Sequence, residues 1–465
     1  MGLRVAEGFF PGAEARVGCA AGRGAFAGAV GEQPECPTVA EVVGVDRHVT
    51  RVGVHCGPGT PQQIAVDTPQ VRDEVHAEVV AEVQHLVRCF HPMRRRDQVL
   101  ALRRRRQFVG VELAVDGRTI FSGHICHHRS PMLISDLPTP ALVVDGPSLD
   151  ANLATMAAAL PGPRLRPHVK AHKCTALAQR QADAGHHNFT CATPREVIGM
   201  TAAGLGDDLL LANETIDGSR LRAMAECGGR VTVAVDSDET IAAAAANGIR
   251  EVLIDVNVGL PRCGCEPDDA GRLADLARGR GLDVRGVMGY EGHIYAFSER
   301  EERTNATEQA MQLLLAAHEK VGGPIVSAGA TGSYDLNRWA TEIQAGSYAL
   351  MDVAYGPIIP EFRTALYVLS TVISVSSGYA VADCGLKAFG MDHGNPTMDD
   401  AQVLLVSDEH ITFRTRNSVR VGDVVRVWPA HVDPSVAYHE RMQLASGAEP
   451  GAELIDTWNV DLRGW

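Results

Sequence analysis

The sequence lacks the apolar runs of roughly 20 residues that a helix needs to cross a bilayer, and residues 1–4 do not lead into the hydrophobic stretch of a secretory signal. It also lacks an excess of basic residues, since 43 Lys and Arg stand against 57 Asp and Glu, a net charge of −14. That balance argues against general binding to nucleic acid or to anionic membranes. The eleven cysteines show no pairing pattern, so we expect a cytoplasmic protein with reduced thiols.

Residues 1–131 lack Lys, Asn, Tyr and Trp altogether, which sets them apart from the rest of the chain. They contain a small cluster of residue types that bind metals: His124, Cys126, His127 and His128. A zinc site is one interpretation, but no second element with ligand spacing accompanies the cluster, which favours an incidental His- and Cys-rich loop. We predict that residues 1–131 are a poorly ordered extension or the product of an upstream start, with Met132 as the real beginning.

From residue 132 onward, strand-like and alanine-rich helical runs alternate. This alternation predicts a (β/α)8 TIM-type barrel over residues 132–355, because parallel strands need helical crossovers. Residues 356–465 contain short runs of β-branched residues between turn residues, which predicts a β-rich C-terminal domain that the early run 141–145 could join. The eight predicted barrel strands are 165–171, 188–192, 208–212, 230–235, 251–256, 284–290, 325–330 and 342–349.

The segment Arg166–Lys173 is unusually basic for the first strand of such a barrel. Its central lysine, Lys170, is a candidate reactive amine. The neighbouring cations His168 and Lys173 are expected to lower the pKa of Lys170 and so leave more of it as the free amine that condenses with a carbonyl. A basic surface strand is the alternative interpretation.

Two loops rich in glycine and hydroxyl residues follow the seventh and eighth predicted strands. Barrels of this kind often bind phosphate there, through backbone N–H groups and the start of a short helix. A turn built from small residues is the alternative. The candidate phosphate-binding residues are Gly329, Thr331, Gly332, Ser333, Gly346, Ser347 and Tyr348.

Two further features suggest a cofactor and a metal. Arg262 offers a permanently charged donor for a phenolate-like oxygen, with a surface ion pair as the alternative. His431 and Asp433 would point to one side of an extended segment and could hold a divalent ion, although solvated His-x-Asp pairs are common. A lysine, a phosphate cup and a phenolate donor on one barrel suggest pyridoxal phosphate, with Lys170 as its Schiff-base residue.

From about residue 134 the sequence resembles the D-threonine aldolases and eukaryotic-type D-serine dehydratases, pyridoxal-phosphate enzymes of fold type III with an alanine-racemase-like fold. The D-threonine aldolases are the more similar branch. The resemblance does not cover residues 1–131. Its motifs are Asp136-Leu-Pro-Thr-Pro140, the basic segment 166–173, Tyr290-Glu-Gly-His293, the loop 327–333, the segment 342–352 and Pro429-Ala-His-Val-Asp433.

The resemblance implies how the cofactor is held. It makes Lys170 the Schiff-base residue and brings Arg262 to the cofactor's phenolic oxygen. Tyr290 is implied to lie beside the cofactor and substrate. Gln344 occupies the place where racemases of this fold put an arginine against the pyridine nitrogen, which disfavours a racemase.

The resemblance also implies a divalent metal at His431 and Asp433. Dehydratase-like members tend to have cysteine with zinc at the second position, whereas aldolase-like members have aspartate with manganese or magnesium, and oxygen ligands suit those harder ions. Asp433 therefore favours an aldolase that cleaves D-threonine and related D-3-hydroxy amino acids to glycine and an aldehyde. His293 is the expected base, acting directly or through metal-bound water.

Alternatives remain open at this stage. A D-serine or 3-hydroxy-D-aspartate dehydratase would share the first step. A protein that binds pyridoxal phosphate without catalysis is an alternative of a different functional class. The second domain and the pair His431 and Asp433 argue against it. The resemblance also implies a homodimer, because partners of this fold often close each other's sites.

Overall fold

The computed structural model describes residues 132–465 in full and, of residues 1–131, only the backbone of seven strands. Residues 1–131 and 132–465 form two separate compact units. The seven strands of the first unit pair antiparallel in a single sheet. The side chains of the His- and Cys-rich cluster lie outside the described residues, and the low order of this segment stays a prediction. The strands are β1 Gly2–Gly8, β2 Glu14–Cys19, β3 Val39–Asp46, β4 Val49–His55, β5 Gln62–Asp67, β6 Gly110–Val115 and β7 Arg118–His124.

The second unit opens with β8 (Ala141–Asp145) and continues into a barrel of parallel strands. Seven strands lie side by side in sequence order. The eighth place is taken by residues 165–168: Arg166 N donates to Ile343 O at 2.9 Å on one side, and Thr190 N donates to Pro167 O at 2.9 Å on the other. The predicted fold class is confirmed, with a very short first strand. The others are β9 Asn188–Cys191, β10 Asp208–Leu211, β11 Val231–Val235, β12 Glu251–Asp255, β13 Asp283–Met288, β14 Ile325–Ala328 and β15 Glu342–Ile343.

Helices cover the outside of the barrel and begin where the sequence supplies caps. The Thr193 and Ser237 hydroxyls each accept a hydrogen bond from a backbone N–H of the first turn, as N-cap residues do. No helix in the described part of the chain is long and apolar enough to cross a membrane. The helices are α1 Gly146–Ala159, α2 Thr175–Asp183, α3 Pro194–Ala202, α4 Gly218–Ala225, α5 Asp238–Ala246, α6 Ala270–Gly279, α7 Arg300–Val321 and α8 Val432–Tyr438.

An ionic network fills the barrel at the amino-terminal ends of its strands. Arg166, 2% exposed, donates to Glu342 at 2.7 Å and to Asp208 at 3.2 Å. Arg285 forms a two-pronged pair with the same Asp208, at 2.9 and 2.8 Å. Each buried charge therefore has an opposite partner, which is the condition for keeping charge in a barrel core. Catalytic residues of such barrels lie at the opposite end, where the carboxyl ends of the strands form the mouth.

The C-terminal domain is a second, antiparallel β structure. Strand β16 pairs with both β17 and β21, so six strands close on themselves. Strand β8 pairs with β16 and β22, which confirms that the early run joins this domain. The sequence did not indicate β18, β22 or β23. These strands are β16 Leu366–Val375, β17 Ala380–Ala382, β18 Thr397–Met398, β19 Ala401–Val406, β20 Ile411–Thr415, β21 Val424–Trp428, β22 Arg441–Ala445 and β23 Leu454–Asn459.

Three local predictions at the barrel mouth were wrong. The first strand stops at His168, and Val169–Ala171 form a 3-10 turn closed by a hydrogen bond from His172 N to Val169 O at 3.1 Å. Strand β15 is two residues long because the chain turns at residue 346, where the backbone passes so close to His168 that a Cβ would lie 2.6 Å from its carbonyl oxygen. The segment carrying Asp433 is helical from Val432, not extended.

Candidate active site

Lys170 lies on the 3-10 turn that follows the first barrel segment, and its Nζ donates to Asp433 Oδ2 at 2.8 Å. The predicted lowering of its pKa was wrong. Desolvation works to lower the pKa of Lys170, but the Asp433 carboxylate outweighs it and raises the pKa above its ordinary value. Of the two expected neighbouring cations, His168 is neutral because desolvation lowers its pKa, and the charge of Lys173 is offset by its ion pair with Glu196.

A buried carboxylate organises the loop after β14. Glu291, 1% exposed, accepts hydrogen bonds from Gly329 N at 3.0 Å and from Ser333 Oγ at 2.9 Å. Asn337 Nδ2 donates to the same carboxylate at 3.1 Å. Gly329 adopts φ +80°, a left-handed conformation that favours glycine. The loop is therefore held in one conformation from its buried side, and its other side remains available to bind a ligand.

The two loops proposed to bind phosphate meet. Tyr348 N donates to Thr331 Oγ1 at 3.0 Å, so the turns after β14 and β15 touch. The backbone N–H groups of Thr331, Gly346 and Ser347 donate to no acceptor within residues 132–465. The N–H of Gly332 is not free in the same way, because it donates a hydrogen bond to the Tyr295 hydroxyl at 3.1 Å. Three free donors on touching loops fit an anion such as the phosphate of pyridoxal phosphate.

Arg262 and Tyr290 are brought together, with the guanidinium carbon 5.2 Å from the centre of the phenol ring. Desolvation raises the pKa of Tyr290, against the lowering effect of nearby Lys170, so the phenol stays protonated near neutral pH. Gln344 donates to Ser327 Oγ at 2.9 Å, which fixes its side chain beside the end of β14. The contacts of Arg262 and Gln344 with a cofactor stay predictions.

His293 lies on the 3-10 helix Gly292–Ala296 and packs against Gly259, where a Cβ would come within 3.0 Å of its ring. Its Nδ1 is buried without a hydrogen-bond partner in the described part of the chain. Among residues 132–465, no hydrogen bond or ion pair joins it to His431 or Asp433. Within the described residues the structure commits Nδ1 to no partner, and the role of His293 as base stays a prediction.

The pair His431 and Asp433 is placed by the start of helix α8. Val432 N donates to Asp352, a fully buried carboxyl whose pKa is raised to about 8 by burial and by the Asp433 charge. His431 Nε2 and Asp433 Oδ1 are 3.9 Å apart, and that buried oxygen has no partner within residues 132–465. An ion about 2.1 Å from each atom would satisfy both, so the pair fits a divalent metal although the segment is not extended.

Sequence reasoning missed two residues beside this pair. Asp392 and His393 come from the loop before β18, and with His431 they bring three potential ligand atoms within 4.8 Å of one another. Asp392 lies 39 residues before His431. Nothing in the sequence distinguished an Asp-His dipeptide there from other loop residues. Glu291 was hidden differently, since it lies inside the Tyr290–His293 motif but was not singled out.

Comparison with known proteins identifies the two domains. Residues 144–352 match the family described as "Alanine racemase, N-terminal domain". Residues 365–445 match the family described as "Putative serine dehydratase domain". The first match covers the barrel with Lys170, and the second covers most of the β domain with His431 and Asp433.

Two curated relatives and one solved structure match this chain over nearly their whole length. The chain is 30% identical to a D-threonine aldolase of Arthrobacter sp over 365 residues, 71% of this chain and 94% of the relative. It is 30% identical to a 3-hydroxy-D-aspartate aldolase of Paracoccus denitrificans (strain Pd 1222), over 75% of this chain and 99% of the relative. The crystal structure of D-threonine aldolase from Filomicrobium marinum superimposes with a TM-score of 0.68 at 31% identity, covering 72% of this chain and 98% of that one. The chain therefore belongs to the family of D-threonine aldolases and D-serine dehydratase-like enzymes, whose alanine-racemase-like fold implies pyridoxal phosphate.

Proposed function

We propose that this protein is a lyase that uses pyridoxal phosphate and a divalent metal to cleave D-threonine and related D-3-hydroxy amino acids into glycine and an aldehyde. The observation that carries the proposal is the pairing of Lys170 with Asp433 across the barrel mouth, at 2.8 Å. It brings the amine that would hold the cofactor next to the carboxylate that would hold the metal. Cofactor chemistry at Cα and metal chemistry at the hydroxyl of Cβ would then act on the two carbons whose bond is cleaved.

Bound at Lys170, the cofactor would supply an electron sink at Cα, and an ion at His431 and Asp433 would supply a Lewis acid for the β-hydroxyl. The chain's own residues do the rest. The free N–H groups of Thr331, Gly346 and Ser347 bind the phosphate end. His293 accepts the hydroxyl proton, as general bases of this kind do. The Cα–Cβ bond breaks and Cα gains one proton in place of Cβ, which balances the proton lost by the hydroxyl, so glycine and the aldehyde together contain all the atoms of the substrate.

A dehydratase is the second candidate, and a specific match supports it. Residues 365–445 match a family named for serine dehydratase. Dehydration would remove the α-proton and expel the hydroxyl, giving a keto acid and ammonia. Asp433 weighs against this, because the resemblance associates cysteine at this position with dehydration. A carboxylate also favours Mn²⁺ or Mg²⁺ over Zn²⁺, since hard ions prefer oxygen ligands.

Replacement of Lys170 tests the proposal. We expect the variant Lys170→Ala to lose D-threonine cleavage and to lose the visible absorption of the bound cofactor, while the parent retains both. Lys387→Ala is the matched control, because that lysine is exposed in the β domain and, among residues 132–465, pairs with surface carboxylates alone. Full activity in Lys170→Ala would contradict the proposal.

A further inference from the structure

His431 uses both of its ring nitrogens, and they face different carboxylates. Nδ1 lies 2.6 Å from Asp392 Oδ2, a short hydrogen bond. Nε2 faces Asp433 Oδ1 at 3.9 Å. A neutral imidazole carries its proton on one nitrogen and its lone pair on the other. A proton donated from Nδ1 to Asp392 therefore leaves the lone pair on Nε2, on the side of Asp433.

The loop that carries Asp392 is attached to the segment that carries His431. Gly390 forms an isolated antiparallel bridge with His431. Gly390 N also donates to Ser435 Oγ at 3.0 Å, and that hydroxyl donates to His431 O at 2.7 Å. A Cβ on Gly390 would lie 2.2 Å from Pro434 Cγ, so only glycine allows this approach. Asp392 thus reaches His431 from a fixed loop, although its own side chain is half exposed.

His393 does not fit as a ligand to the same ion as His431. The two rings are stacked, with centroids 3.7 Å apart and planes 7° apart. An imidazole nitrogen donates its lone pair in the plane of its ring, and two parallel planes at that separation cannot both contain one ion. An ion shared by Asp392, His393 and His431 would require one ring to turn out of the stack. His393 instead covers one face of the His431 ring.

We infer that Asp392 is a positioning residue for the metal: it accepts a hydrogen bond from Nδ1 of His431 and so directs Nε2 toward the ion. The inference rests on the proposed metal pair His431 and Asp433 and adds a third residue to it. Partners of this kind orient a ligating histidine and make it more basic, and their loss typically weakens metal affinity by about 10- to 100-fold. The effect acts through His431, without contact between Asp392 and the ion.

Metal affinity measured independently of turnover tests the inference. The full chain, loaded with pyridoxal phosphate and stripped of metal, is titrated with Mn²⁺ while free Mn²⁺ is followed by electron paramagnetic resonance. We expect Asp392→Ala to weaken Mn²⁺ binding by about 10- to 100-fold. Asp392→Asn should recover part of the loss, because its amide oxygen can still accept the Nδ1 proton. Asp408→Ala is the control, since the side chain of that exposed aspartate pairs with Lys387 and with no other residue in the described range 132–465.

Two further variants separate a positioning role from direct ligation. His431→Asn should abolish tight Mn²⁺ binding, whereas His393→Asn should leave it nearly unchanged. Equal losses in His393→Asn and His431→Asn would overturn the inference, because the ion would then lie in the outer cluster. An Asp392→Ala protein with parental affinity would overturn it as well. A parent that binds no Mn²⁺ would overturn the metal pair itself, and with it the inference.

Discussion

At the scale of single residues, Glu291 decides the shape of the proposed phosphate loop. Its buried carboxylate accepts hydrogen bonds from the loop at both Gly329 and Ser333, and it also accepts one from Asn337. A carboxylate is needed here because all of the groups facing it donate. An amide of the same size would place one donor against another, and a buried donor without an acceptor is costly.

We expect Glu291→Gln to weaken the binding of pyridoxal phosphate by about 5- to 30-fold, the equivalent of one or two disturbed buried hydrogen bonds. The measurement is a titration of the cofactor-free protein with pyridoxal phosphate, followed by absorbance. Glu319→Gln, an exposed glutamate on α7, serves as the control. Parental affinity in Glu291→Gln would show that the loop does not depend on this carboxylate.

How far the sequence predicts the site also depends on individual residues. Lys170, His431 and Asp433 were recognisable because each lies in a distinctive local motif. Asp392 was not, because it reaches His431 through a loop whose position depends on the packing of residue 390 against Pro434. The raised pKa of Lys170 was missed for the same reason, since its determining neighbour lies 263 residues away.

At the scale of elements, helices were predicted better than the ends of strands. The sequence predicts a helix over residues 300–321, and α7 begins and ends at those residues, because helix periodicity and termini are local signals. Strands β15 and β18 are only two residues long. They form because neighbouring strands pair with them, so the local sequence pattern did not predict where they begin and end. The first barrel segment is the extreme case, since its pairing is reduced to isolated bridges.

The ionic network inside the barrel gives a pH-dependent prediction. Burial works to raise the pKa of Asp208, but Arg285 and Arg166 outweigh it and hold the pKa at about 2. A carboxyl with a depressed folded pKa stabilises the fold above its ordinary pKa of 3.8, and this contribution is lost as the pH falls toward 2. The stabilisation should therefore be complete at pH 7 and largely absent near pH 2.

We expect Asp208→Asn to lower the free energy of unfolding at pH 7 by about 2 kcal/mol, because two arginines lose their shared partner. Urea unfolding at pH 7, 4 and 3 should show the gap to the parent narrowing as the pH falls. The exposed Asp268, which pairs with Lys320 on the surface, provides the control Asp268→Asn with nearly unchanged stability. A gap that stays constant or widens toward pH 3 would refute this account.

At the scale of the whole molecule, residues 132–465 hold every residue of the proposed site. They form one of the two compact units, and both family matches fall inside it. A chain that starts at Met132 should therefore keep its melting temperature, its cofactor and its D-threonine cleavage. Thermal unfolding and activity of the two chains, compared side by side, check this, and loss of cofactor binding in the short chain would count against it. The homodimer stays a prediction that light scattering can examine on both chains.

Product analysis of the purified protein tests the central claim most directly. The protein, supplied with pyridoxal phosphate and Mn²⁺, is given D-threonine, D-serine or L-threonine in separate reactions, and acetaldehyde, glycine and keto acids are measured. Our account predicts acetaldehyde and glycine in equal amounts from D-threonine and neither from L-threonine. Pyruvate and ammonia from D-serine, without acetaldehyde from D-threonine, would contradict it and identify the protein as a dehydratase.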